Sequence, residues 1–192
     1  MSAQTPPRWD LSNVYPSLQS PEYAAAISEM EAKIKGMETL LAQAETLDGS
    51  SGVDALAAAA NRLVDGYNSA LLLRNTIEAY LYSFTSTDTF NTEAARKMSE
   101  FELLTVDMSK QETRLRAWVG KIAPALPAVT ALPGPAKEHA FQLDEMARQS
   151  RYLMSQAEEA LAAELNLSGA NAWTKLHSTV ISQTTVEFEL EG

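Results

Sequence analysis

The two histidines of the 192-residue chain are the first residues to test for chemistry, because imidazole can act as a metal ligand or as a general base. A zinc peptidase helix needs the pattern His-Glu-x-x-His, in which two imidazoles one turn apart bind one metal ion and the Glu activates water. His139 is followed by Ala140, and His177 by Ser178, so neither residue begins this pattern. We therefore expect both histidines to be solvated or hydrogen-bonded helical residues, and we assign no metal ligand.

Other catalytic patterns are also missing from the sequence. No Gly-x-Ser-x-Gly elbow marks an activated serine, and the stretch 49–52 lacks the Lys and the preceding strand of a phosphate-binding loop. Glu158 and Glu159 are adjacent on a predicted helix, so their carboxylates point in different directions and cannot face each other across a substrate. Glu187 and Glu189 share a predicted strand face, which we interpret as a solvated face. We assign no catalytic residue and no cofactor-binding residue.

Three long amphipathic helices make up most of the predicted structure. The first begins at Ser20-Pro21-Glu22, where a serine cap precedes a proline and an acid. The second covers about 53–85, and the third runs from a cap at Asn91 to Pro124. Short connections predict an antiparallel bundle. Apolar residues three or four positions apart form the predicted core seams: Ile27, Met30, Ile34, Met37 and Leu41; Leu56, Ala60, Leu63, Tyr67, Ala70, Ile77, Leu81 and Phe84; Met98, Phe101, Met108, Leu115, Val119 and Ile122.

Arg74 interrupts the seam of the second helix. The expected arrangement has its aliphatic stem along the core and its charged head in solvent or beside an acid.

The chain divides into four predicted segments. Residues 1–20 form an extended leader, 21–123 the long-helix bundle, 124–136 a proline-rich connector, and 137–192 a set of short helices with a terminal strand. The short helices cover about 137–149, then a stretch opened by the Ser155 capping box and ending near 165, then a helix that starts at Ser168-Gly169. This last helix carries three regularly spaced apolar residues: Trp173, Leu176 and Val180.

A β-strand is predicted at the end of the chain. Val186, Phe188 and Leu190 alternate with glutamates over 184–190, which predicts one apolar face. A lone strand leaves backbone groups without partners. We therefore expect a returning strand outside the chain, either in a longer protein or in a partner. The predicted fold class is all-α: an antiparallel bundle of three long helices, then shorter helices, with one C-terminal β-strand left unpaired by truncation.

Composition limits the possible partners and compartments. Lys and Arg number 15 against 25 Asp and Glu, for a net charge of -10, so a phosphate backbone would be repelled and we expect no nucleic-acid partner. No apolar run approaches the roughly 20 residues of a membrane span, and we expect no membrane partner. Cysteine is absent and no secretory h-region is visible, which favours a cytoplasmic location.

Several ordered segments together resemble one known family. They are residues 8–16, with a Trp-Asp-Leu-Ser leader; residues 151–159, with an Arg-x-Leu-x-Ser-x-x-Glu-Glu stretch; residues 168–176, with a Trp helix; and the strand around 186–189. In this order they resemble the N-terminal region of oligoendopeptidase F-like zinc metallopeptidases, which are relatives of thimet oligopeptidase. Met154 departs from the family pattern, since relatives tend to place Leu beside the serine.

The resemblance implies a role for the chain within a larger enzyme. In this family the zinc ligands and the catalytic Glu lie in a later domain, where zinc-activated water hydrolyses oligopeptides. The chain would therefore be a non-catalytic N-terminal domain, not an enzyme by itself. It would form the wall or lid of a channel that admits only short peptides. Its partners would be the catalytic domain of the same polypeptide and oligopeptide substrates, with Zn²⁺ expected only in the parent's catalytic domain.

One alternative remains open at the level of sequence. The chain could be a stand-alone helical interaction module that docks a partner on a bundle face or through the strand at 184–190. A dimer of the fragment is also possible, because truncation could expose apolar surface that a catalytic body would cover.

Overall fold

The computed structural model describes residues 10–187, and the fold of this part of the chain is entirely helical. Three long helices come first: α1 (Pro21–Ala44), α2 (Val53–Thr87) and α3 (Thr92–Lys121). They pack on one another in all three pairings. The predicted all-α fold, with long helices followed by shorter ones, is confirmed. The shorter helices are α4 (Leu126–Ala131), α5 (Pro135–Glu138), α6 (Ala140–Gln149), α7 (Gln156–Ser168) and α8 (Ala170–Gln183), with a 3₁₀ turn at Ser150–Tyr152.

The starts of α1 and α3 follow the predicted capping chemistry. The Ser20 hydroxyl accepts a hydrogen bond from the Tyr23 backbone N–H at 3.2 Å, and Asn91 accepts one from the Ala94 N–H at 2.9 Å. Each bond satisfies one of the backbone donors that a helix N-terminus leaves without an intrahelical partner. The sequence thus determines where these two helices begin.

The bundle core consists of two apolar clusters, one towards each end of the long helices. The first contains Leu41, Leu63 and Val119, and the second contains Met30, Ile77 and Phe101. Tyr67, which is partly buried, packs against both clusters. Most of the predicted seam positions are buried, but Ile27, Ile34, Phe84 and Met98 are only partly so.

The proline-rich segment 124–136 is folded against the bundle. It contains α4 and the start of α5, and it buries Leu126, Val129 and Ala136 in the first cluster. Gly134 precedes α5 with a φ of 136°, a conformation that favours glycine. The Asn61 side chain accepts a hydrogen bond from the Ala136 N–H at 2.8 Å, which ties the segment to α2.

Helices α7 and α8 form an arm that lies along α3, and we call them the α7–α8 arm. Only Gly169 separates the two helices. On α7, Glu164 contacts Lys110 of α3, whereas further along the chain Lys175 of α8 contacts Ser99 and Glu102 of α3. Because the arm residue number rises as the α3 residue number falls, the arm runs antiparallel to α3.

The predicted strand at 184–190 lies at the edge of the described residues. The backbone becomes extended at Thr184, with φ of −81° and ψ of 122°. Residues 184–187 pair with no other strand within the described range 10–187. Residues 188–192, which hold the rest of the predicted strand, lie outside that range.

Candidate docking surface

The two histidines lie on different elements of the fold. His139 sits between α5 and α6, where its Nε2 atom is 3.0 Å from the Asn68 amide nitrogen. His177 is exposed on α8. Within residues 10–187, no three or more His, Asp or Glu side chains are grouped closely enough to hold a metal ion. The donor set of a zinc centre is therefore not assembled in this part of the chain.

The adjacent acids Glu158 and Glu159 accept hydrogen bonds from backbone N–H groups at the start of α7. The Glu158 carboxylate accepts hydrogen bonds from the Ser155 N–H at 2.9 Å and from the Ser155 hydroxyl at 2.7 Å. These bonds from Ser155 lower the pKa of Glu158. The Glu159 carboxylate accepts a bond from the Met154 N–H at 3.0 Å. The predicted capping box is present, and both acids have structural partners.

A polar cluster lies between α2 and α3. The Tyr67 hydroxyl donates a hydrogen bond to Glu112 at 3.1 Å, and Glu112 also accepts one from Arg116 at 2.9 Å. Burial, reinforced by the negative charge of Glu112, raises the pKa of Tyr67 to about 12. Arg74 pairs with Glu78 at 3.2 Å, as expected for an arginine whose head reaches an acid. Each arginine here has an acidic partner, so the cluster is internally balanced in charge.

One cleft of about 410 Å³ lies where the end of α3 meets the 3₁₀ turn, with Thr113, Gly120 and Gln156 among its walls. Its two basic side chains are already engaged. Arg114 makes a bidentate pair with the Glu45 carboxylate at 2.8 and 2.9 Å, and Lys121 donates to the Glu45 backbone carbonyl at 2.9 Å. The cleft therefore offers little free positive charge to an anion.

A second cleft, of about 480 Å³, lies between α1 and α3. Tyr23, Ile27 and Phe101 contribute apolar walls. Lys97 lies 5.5 Å from the centre of the Tyr23 ring and 3.8 Å from Glu100, so its charge also has partners within the protein.

The feature that the bundle leaves unexplained is the apolar surface of α8. Every residue from 170 to 187 is exposed, including Trp173 at 72% and Val180 at 56%. Trp173, Leu176 and Val180 follow one another at three- and four-residue steps, so they lie on one side of the helix. We call these three residues the α8 stripe. Lys175, whose amine reaches α3, lies on the opposite side, so the α8 stripe faces away from the bundle.

Helix α7 continues this exposed apolar character. Leu161 and Leu165 are one turn apart and more than half exposed. Neither α7 nor α8 has a buried residue. A helix with an apolar stripe normally places that stripe against a neighbouring element. The arm therefore presents an exposed apolar surface that is suited to docking.

The sequence identified the residues of the α8 stripe but not their exposure. Their spacing predicts a face that packs on a neighbour, and the pattern cannot tell a neighbour within the chain from a separate one. In the structure all three residues are more than half exposed, and the Lys175 contact with α3 is made from the other side of α8. Within the described residues, no helix is both long and apolar enough to cross a membrane.

Comparison with known families supports the resemblance inferred from sequence. Residues 134–185 match the family model of the peptidase M3 N-terminal region, described as Oligopeptidase F. This segment includes α5, α6 and the whole α7–α8 arm. The match supports an oligoendopeptidase F-like N-terminal region. Comparisons with curated proteins and with solved structures found no match.

Proposed function

We propose that this chain is the non-catalytic N-terminal helical domain of an oligopeptidase F-type zinc peptidase, and that the α7–α8 arm docks it on the catalytic domain of the same polypeptide. The observation that carries the proposal is the exposed α8 stripe within the segment that matches the family model. An apolar helical stripe rimmed by polar residues is typical of a protein interface. The sequence after Thr184 would continue that contact.

The long-helix bundle has a different role in this proposal. It forms one wall or lid of a channel, which restricts access to short peptides and excludes folded proteins. The chemistry belongs to the catalytic domain, because the described residues do not assemble the ligands of a zinc centre. The domain then acts on the reaction through substrate access alone.

The first experiment reads the open reading frame beyond the codon of Gly192. The proposal expects it to continue into a domain with a His-Glu-x-x-His motif. A stop codon directly after Gly192, with no such domain encoded nearby, would favour the stand-alone interaction module instead. The purified chain is expected to bind no stoichiometric zinc and to cleave no peptide, and turnover by the chain alone would overturn the non-catalytic role.

The second experiment tests the docking surface directly. The catalytic domain and the 192-residue chain are produced separately and mixed, and their affinity is measured by calorimetry. Trp173→Glu places a charge in the proposed interface and is expected to weaken binding at least tenfold, since fully desolvated aromatic residues dominate interface energies. Asn171→Glu is the matched control: Asn171 is exposed on the same helix but lies on the other side from Trp173. Equal weakening by both variants would argue against docking through the α8 stripe.

The third experiment tests the access role. The complete enzyme and a version lacking this domain are compared on a short peptide and on an unfolded protein of more than 50 residues. The proposal expects the complete enzyme to cleave only the short peptide, and the shortened version to gain activity on the long chain relative to its own activity on the short one. An unchanged ratio between the two substrates would refute the channel role while leaving the docking role intact.

A further inference from the structure

The attachment of the α7–α8 arm to the bundle is unusually polar. Among the ion pairs of residues 10–187, three join residues distant in sequence, and two of these three connect α3 to the arm. Lys110 lies 2.8 Å from Glu164, and Lys175 lies 3.7 Å from Glu102. Lys175 also donates to the Ser99 hydroxyl at 2.6 Å. We call these two lysine bridges the latch.

Apolar packing adds little to this attachment. The α7 residues turned away from solvent are only half-buried, and they are mainly alanines: Ala160, Ala162, Ala163 and Leu167. Every residue of helix α8 is exposed. Regions with few buried apolar contacts have low local stability. The arm is therefore held on α3 chiefly by alanine contacts and by the latch.

The linker to the arm contains a natural pivot. The Leu153 N–H donates to the Ser150 carbonyl at 3.3 Å, which belongs to the 3₁₀ turn on the bundle. The next N–H, that of Met154, donates instead to Glu159 of α7 at 3.0 Å, and the Ser155 N–H donates to Glu158. The backbone N–H of Leu153 is therefore bonded to the 3₁₀ turn, whereas that of Met154 is bonded to α7. Rotation about φ and ψ of Leu153 would move the arm while leaving the Met154–Glu159 bond and the capping box of α7 intact.

We propose that the α7–α8 arm is an ionically latched strap, which swings as a preformed helical unit about the Leu153 pivot. In the closed state the latch holds the arm along α3. When the two lysine bridges are released, the arm moves away from α3 while helices α7 and α8 stay formed. The inference goes beyond the proposed function and does not rest on it, because both the latch and the pivot lie within the 192-residue chain.

The swing predicts a dependence on salt. Both bridges are partly exposed, and exposed charge pairs weaken as ionic strength shortens the Debye length from about 10 Å at 0.1 M to about 3 Å at 1 M. Each exposed pair typically shifts an equilibrium by about twofold, so loss of both is expected to raise the ratio of open to closed arm by about fourfold.

The experiment measures distances by pulsed electron spin resonance in the full 192-residue chain. The sequence has no cysteine, so Ser109→Cys on α3 and Ser178→Cys on α8 place two spin labels without background. We expect two populations of label-to-label distance, a short one from the closed arm and a longer one from the open arm. The ratio of long to short distances should rise about fourfold in the variant Lys110→Met/Lys175→Met, as it should at 1 M salt in the unsubstituted chain. Labels at Ser28 and Ser109, both on the bundle, should keep one distance throughout.

Two matched variants separate the latch from general loss of charge. Arg96→Met removes a cation whose ion pair with Glu100 stays within α3, and it should leave the arm distances unchanged. The charge swap Lys110→Glu/Glu164→Lys should restore most of the closed population that Lys110→Glu alone loses. A single narrow distance in the parent that neither salt nor the latch variant changes would overturn the proposal. Broadened distances accompanied by loss of helical circular dichroism would also overturn it, because the arm would then be unfolding rather than swinging.

Discussion

The 3₁₀ turn packs closely on α3 at Gly120. A Cβ placed on Gly120 would lie 2.5 Å from the Ser150 Cβ and 2.1 Å from its Oγ. Carbon atoms pack at about 3.5 Å or more, so Gly120→Ala must push the two elements apart by about 1 Å. The Ser150 hydroxyl cannot simply rotate away, because its own Cβ is one of the clashing atoms.

The expected cost can be worked from two opposing effects. Overpacking of this kind costs about 1–3 kcal/mol. Replacing a helical glycine with alanine returns at most about 1 kcal/mol, and less at the second-last residue of α3, where the helix is ending. The free energy of unfolding should therefore fall by about 1–2 kcal/mol, a large share of the roughly 5–15 kcal/mol that is typical of a domain.

Urea unfolding followed by circular dichroism measures this change, and two further variants make it specific. Gly36→Ala is the matched control: Gly36 is on α1, and a Cβ there would meet no atom within 4 Å. This variant should be more stable than the unsubstituted chain by about 0.5–1 kcal/mol. Adding Ser150→Gly to Gly120→Ala removes both clashing atoms and should recover about 1 kcal/mol relative to the sum of the single changes. A Gly120→Ala protein as stable as Gly36→Ala would refute the close-contact argument.

Four other predictions concern the core and surface, the ionisation of Tyr67, its effect on stability, and Gly134. Leu41→Ala empties a fully buried site and should lower the free energy of unfolding by about 2–5 kcal/mol. Trp173→Ala, at an exposed site, should change the free energy of unfolding by less than about 0.5 kcal/mol in the isolated chain. Equal losses in the two variants would contradict the burial assigned to each residue. Spectrophotometric titration of tyrosinate should find Tyr67 ionising near pH 12, and Glu112→Gln should lower its pKa by removing a nearby negative charge. Because the folded pKa of Tyr67 lies above the ordinary value of 10.0, its contribution to stability should be complete below pH 10 and lost between pH 10 and about 12, which urea unfolding at each pH would test. Gly134→Ala should destabilise the chain by more than about 1 kcal/mol, because alanine rarely adopts a φ of 136° and its Cβ would meet the Asn61 side chain at 2.6–2.8 Å. Unchanged stability in the same urea assay would contradict this prediction.

The helices themselves followed from local chemistry. Ser20, Asn91 and Ser155 each mark a helix start in the sequence, and each makes the hydrogen bond that capping requires in the structure. The seam spacing likewise placed the large core residues, because a helix repeats every 3.6 residues whatever it packs against. Trp118 was not among the predicted seam residues, yet it is buried in the first cluster. The first cluster also contains residues of the shorter helices, such as Leu126 and Leu143, and these neighbours cannot be inferred from the pattern of α3 alone.

What the sequence determined by itself was the set of helices and the resemblance, carried by residues 8–16, 151–159, 168–176 and 186–189, to an oligoendopeptidase F-like N-terminal region. Each of these depends on neighbouring residues, which lie close in sequence. Tertiary structure alone decided that the α8 stripe faces solvent, that Gly120 must be small, and that two lysines of α3 and α8 bridge to acids more than 50 residues away. Those facts depend on how distant segments meet in space, and helical periodicity leaves that orientation undetermined.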